Sequence, residues 1–185
     1  PASAWGGDLL DVTGQQVPYH EENFPAGVGR VYSGGQKVIF NYHYFNSTDN
    51  PLEARAAVNF HTTDEANVQR IAASYGALFV GLDVPVGETR SYTLDCAMNE
   101  DVMVHKLTRH THRWGTDFPV SFSGGERDGE LIYVSPSYEN PDHVFEEPVL
   151  VQAGEGFRFT CNYDNTDGDH TLTFGEKTTD EMCIL

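Results

Sequence analysis

From Leu78 onward the chain is a succession of short alternating runs cut by turn signals, and no run there is long enough for a globular helix. "DFPVSFSGGERDGELIYVSP" is the plainest case. Phe118, Val120 and Phe122 fall on one face, a Gly-rich turn follows, and Leu131 and Tyr133 continue on a return strand. "LFVGLDVPVGETRSYTLDCAM" reads as a strand, a "PVGE" turn and a second strand. "HVFEEPVLVQAGEGFRFTCNYDN" carries a turn at "AGEG" and then Phe157, Phe159, Cys161 and Tyr163 on one face. Short strands at this spacing predict an all-β fold, an antiparallel jelly-roll β-sandwich.

Upstream the signals are weaker. Residues 1–30 read as irregular, rich in Gly, Pro and acids. "QKVIFNYHYFN" predicts a strand from Gln36 to Asn46, with Ile39, Asn41, His43 and Phe45 on one face, and "STDNP" ends it. "EARAAVNFHTT" predicts another strand, and "DEANVQRIAASYGA" a helical turn or two. A length of 185 residues suits one domain or one and a fraction.

The formal net charge is -17, from 28 acidic and 11 basic residues. Such a surface repels phosphate backbones and anionic lipids, which argues against nucleic-acid and membrane partners. Its plainest meaning is a solvated acidic surface. No apolar run approaches the ~18 residues of a membrane span. The chain opens "PASAW", without Met or signal peptide, and reads as a processed or trimmed start. Three cysteines, Cys96, Cys161 and Cys183, leave at least one thiol unpaired within the chain.

The chemistry gathers in "RHTHRWGTDF". On a strand from Val102 to His112, the period of two puts His110 and His112 on one face, where both rings can reach one ion. Imidazole suits copper, zinc, iron and nickel. The rival reading is two surface histidines near a turn. Met182, after "TTDE" and before Cys183, is a candidate third ligand, because a thioether selects Cu(I). Its rival reading is core filler. Spacing alone does not bring Met182 to the histidines.

"HTH" followed by "FTCNYDN" and "TTDEMC" resembles the second copper domain of the copper type II, ascorbate-dependent monooxygenases, and is most similar to bacterial exported relatives. The resemblance implies copper held by His110, His112 and Met182, where oxygen is activated for C–H hydroxylation. It implies a Cys161–Cys183 disulfide. It also implies that the partner of Cys96 lies beyond the D-E-M-C motif. "FPAGVGRVYSGGQKVIFNYHYFN" resembles the end of the family's first copper domain, with His43 as one ligand of the electron-transferring copper. The resemblance divides the chain into residues 1–50, that end segment, and 51–185, the jelly-roll copper domain.

The departures shape the functional expectation. The first copper of the family needs an adjacent His pair, and this chain has none; His20 is the only histidine before His43. The family's substrate-binding Tyr falls past Leu185. Its peptide-specific Arg corresponds to Arg109 displaced by one residue, onto the other strand face, so a peptide substrate is not expected. Two classes compete. In one, the domain is part of a monooxygenase that needs a partner domain or another electron donor. In the other, it is a non-catalytic module for copper binding, transfer or sensing. A third, weaker class retains only the scaffold, for interaction or carbohydrate processing. A disulfide implies a secreted or periplasmic location.

Among the other residues, His105 lies on the face opposite His110 and reads as a core histidine. His61, His143 and His170 read as loop or strand-end histidines, with His170 able to approach the site if the last strands pack beside the pair. "DNTDGD" lacks the spaced Glu and flanking helices of a calcium loop and reads as a polar turn. Trp114 either screens the metal or covers the sandwich edge.

Overall fold

The computed structural model describes residues 14–15, 17–40, 42, 44, 46–139 and 141–185. Glu21–Ser74 forms one compact unit, and Tyr75–Leu185 belongs to a second, larger one.

In Glu21–Ser74, β1 (Val28–Gly29) pairs in parallel with β2 (Arg70–Ile71). The helix expected over "DEANVQRIAASYGA" is reduced to a 3-10 turn at Glu65–Asn67. The reason lies in where the following N–H groups go. Gln69 and Arg70 donate to the Gly27 carbonyl and Ala72 donates to that of Gly29, so these donors leave the helical i to i-4 pattern for a strand pairing. The strands expected over Gln36–Asn46 and in "EARAAVNFHTT" are not present among the described residues. Val38 is 50% exposed and Ile39 70%, so residues of both parities face solvent. Alternation specifies a strand only when a sheet buries one of its faces.

In the larger unit, β3 (Asp83–Val84) is followed by β4 (Thr89–Ala97), β5 (Val102–Thr108), β6 (Phe118–Ser123), β7 (Leu131–Ser135), β8 (Asp142–Val151), β9 (Gly156–Asp164) and β10 (Leu172–Thr173). All pairings between these strands are antiparallel, and the isolated Phe174↔Glu181 bridge is parallel. One sheet has the order β4-β9-β6-β7, a second pairs β5 with β8, and β10 pairs with β3. The architecture is the expected all-β antiparallel sandwich. The β4–β9 register runs unbroken from Thr89↔Asp164 to Ala97↔Gly156. Gly156 is required there: a Cβ would come within 1.8 Å of the Cys96 carbonyl oxygen.

The inward faces match the expected parity. Phe118, Val120 and Phe122 of β6 and Phe157, Phe159, Cys161 and Tyr163 of β9 are all buried, and Phe118 stacks on Phe159 with ring centroids 5.4 Å apart. Each fully buried large apolar side chain of this layer contributes roughly 1.5–3 kcal/mol. Leu131, by contrast, is exposed at the start of the return strand.

The last residues are held by isolated bridges outside the named strands. Ile184 bridges Leu78 on one side and His110 on the other, both antiparallel. Ala77 and Leu185 exchange backbone hydrogen bonds, and Phe79 donates to the Cys183 carbonyl. The C-terminal segment is thus held between residues 77–79 and the strand end that carries the histidines.

Candidate metal centre

The strand expected to reach His112 ends its ladder with β8 at Thr108, after a register shift between Val104 and Lys106 that places His105 at the irregularity. Arg109 still donates to the Pro141 carbonyl. His110 then turns to the other edge and exchanges both backbone hydrogen bonds with Ile184, at 2.9 and 3.1 Å. The shorter ladder follows from this change of partner. The alternation survives it. The His110 and His112 rings lie together, centroids 5.1 Å apart and nearly perpendicular at 87°. On the intervening parity, buried Arg109 donates to the hydroxyl of buried Thr111 and, at 2.9 Å, to Ser135 Oγ.

Arg109 therefore points into the core. Its guanidinium lies 5.6 Å over the Phe118 ring, and burial pulls its pKa below the ordinary arginine value. Bound to Thr111, it braces the residue between the two histidines from beneath.

The His112 ring is oriented by the chain just before Met182. Its Nδ1 lies 2.7 Å from the Asp180 carbonyl oxygen. A carbonyl only accepts, so Nδ1 carries a proton, and in the neutral imidazole the lone pair then sits on Nε2, one of the two tautomers that metal-ligating histidines use. Two imidazoles that share one ion through metal–nitrogen bonds of about 2 Å have ring centres roughly 5 Å apart. The separation of the two rings is of that order, and Nε2 is the His112 nitrogen that the Asp180 carbonyl leaves open. Among the described residues no set of three His, Cys, Asp or Glu side chains gathers as a metal-holding group, so a further protein donor from these residues would be of another type.

Glu181 was not singled out in the sequence. It is fully buried, and its carboxylate accepts the His112 N–H on Oε2 at 2.9 Å and the Trp114 N–H on Oε1 at 2.8 Å. Burial pushes its carboxyl up to about 7, and the N–H groups of Trp114, His112 and Met182 counter part of that rise. The only hint in the sequence is an acid placed directly before the apolar run "MCIL".

Met182 is 1% exposed, and the Tyr163 hydroxyl donates to its carbonyl at 2.6 Å. Cys183 bonds to Cys161, with Cα atoms 5.8 Å apart. Cys96 is a buried free thiol whose Sγ donates to the Phe157 carbonyl, and burial raises its pKa. His43 lies outside the described residues.

The remaining candidates settle into structural roles. His170 engages Asp169 Oδ1 through Nδ1 and the Thr179 carbonyl through Nε2, so both ring nitrogens brace the loop before Asp180. His143, near the start of β8, stacks on Tyr133. His61 is exposed. "DNTDGD" is a polar turn: Thr166 donates twice to Asp164, and buried Asn165 donates to the carbonyls of Val84 and His170. Trp114 is partly buried under the Arg113 guanidinium, 4.5 Å from its ring.

The all-β domain thus carries two adjacent imidazoles beside its terminal segment, one of them oriented by a backbone carbonyl. Residues 87–185 match the C-terminal domain of the copper type II ascorbate-dependent monooxygenases, and the chain belongs to that family. Copper is the cofactor that this membership implies. No helix among the described residues is long and apolar enough to cross a membrane.

Proposed function

We propose that His110, His112 and Met182 hold one copper ion, as part of a monooxygenase that hydroxylates C–H bonds. The observation that carries this reading is the adjacency of the two rings, with His112 already fixed in a ligating tautomer by the Asp180 carbonyl. The chain path supports the thioether as third ligand: the His110↔Ile184 bridge lies two residues from both His112 and Met182, and the Asp180 carbonyl, two residues before Met182, holds the His112 ring. Copper bound there supplies the redox chemistry for oxygen activation. The protein's own part is to aim the imidazoles, bury the donors, and keep the His112 proton on Nδ1.

Turnover then requires electrons from a partner domain or another donor. His43 remains a candidate ligand of a second site, and residues 1–50 a candidate end of a first copper domain. The Cys161–Cys183 bridge supports a secreted or periplasmic location, where disulfides persist.

Copper titration tests the centre. The wild type is expected to retain one tightly bound copper per chain after dialysis, and a His110→Ala/His112→Ala variant none. Equal retention by both removes the reading.

A further inference from the structure

We infer that Glu181 is a positioning residue for the copper centre, a buried carboxylate clamp that fixes the His112 ligand relative to the strand bearing Met182. The inference rests on the metal-centre reading above and deepens it.

The clamp is built from both ends. Glu181 itself is immobilised: its N–H donates to the Thr173 carbonyl at 3.0 Å, and its carbonyl accepts the Gly175 N–H at 3.1 Å. Its two carboxylate oxygens take the N–H groups of His112 and Trp114, closing the turn directly after the His-x-His pair. The preceding residue, Asp180, holds the His112 ring through its carbonyl. The following residue is Met182, whose carbonyl is held by Tyr163, and the next, Cys183, is tied to Cys161. One rigid segment, 180–183, thereby holds the His112 ring, the His112 backbone and the chain at Met182. Displacing the Glu181 carboxylate would move imidazole and thioether relative to each other.

The site requires a carboxylate specifically. Each of two N–H donors needs its own acceptor, and a carboxylate offers two. Glutamine has nearly the same shape but offers one oxygen and one NH2 group. In Glu181→Gln an N–H must face an N–H, and a buried donor loses its partner. Aspartate keeps the charge but is shorter by one methylene and cannot span both donors from the same backbone position.

The experiment compares wild type, Glu181→Gln, Glu181→Asp and His110→Ala/His112→Ala. It reads Cu(I) affinity by competition with a chromogenic chelator, the Cu(II) electron paramagnetic resonance spectrum, and hydrogen exchange at the His112 and Trp114 amides. The expected result for Glu181→Gln is loss of amide protection, a Cu(I) affinity lower by about 10- to 100-fold, the usual effect of removing a partner that orients a ligand, and an altered Cu(II) spectrum. If Glu181→Gln fails to fold, Glu181→Asp decides on the same readouts. Wild-type copper affinity and spectrum in a folded Glu181 variant, with copper lost from the double-histidine variant, overturn the inference alone. Copper retained by the double-histidine variant overturns the metal-centre reading and the inference with it.

Discussion

The hydroxyl of Tyr163 donates a hydrogen bond to the carbonyl of Met182 at 2.6 Å, joining β9 to the terminal segment at the proposed ligand. Both residues are buried, with Tyr163 at 2% exposure and Met182 at 1%. No solvent replaces this bond if it is broken. Burial raises the phenol pKa, so the proton stays on oxygen and the bond persists at any ordinary pH.

Tyr163→Phe keeps the ring and deletes only the donor. It leaves the buried Met182 carbonyl without this hydrogen bond, at a cost of about 1–3 kcal/mol. Urea denaturation of the metal-free protein should show that loss in the midpoint, with the slope unchanged. A midpoint equal to the wild type would mean that the carbonyl has another partner or that the strand shifts freely.

The Cys161–Cys183 bridge spans a sequence separation of 22 residues. By the chain-entropy relation, closing a loop of that size contributes about 3 kcal/mol, less any native strain. A Cys161→Ala/Cys183→Ala variant should lose stability of that order, and peptide mapping without reductant should recover this pair alone. Recovery of Cys96 joined to either cysteine would contradict its place beneath the Phe157 carbonyl.

Strand parity was legible in β6 and β9 because each buries one face: Phe157, Phe159 and Cys161 alternate with residues that remain partly exposed. The adjacency of His110 and His112 was legible for the same reason. Within Gln36–Asn46, the described residues Gln36–Phe40 mislead because alternation carries no information when neither parity is buried, and Val38, Ile39 and Phe40 are all exposed. The role of Glu181 was hidden for a different reason. A glutamate in a sequence defaults to the surface. Its burial depends on two backbone N–H groups that only the fold brings to it from residues 112 and 114.

The last prediction separates the thioether from the imidazoles. Met182→Leu nearly conserves side-chain volume, so the metal-free fold should lose less than about 1.5 kcal/mol. If Met182 is a ligand, the change removes a soft donor and leaves both nitrogen donors. Soft thioether favours Cu(I), whereas imidazole serves either oxidation state. Cu(I) affinity should therefore fall while Cu(II) affinity changes little, raising the ratio of the two dissociation constants. Parallel titrations under anaerobic reducing and aerobic conditions give that ratio. An unchanged ratio, with stability near wild type, would make Met182 core packing and leave the copper to the histidines and non-protein ligands.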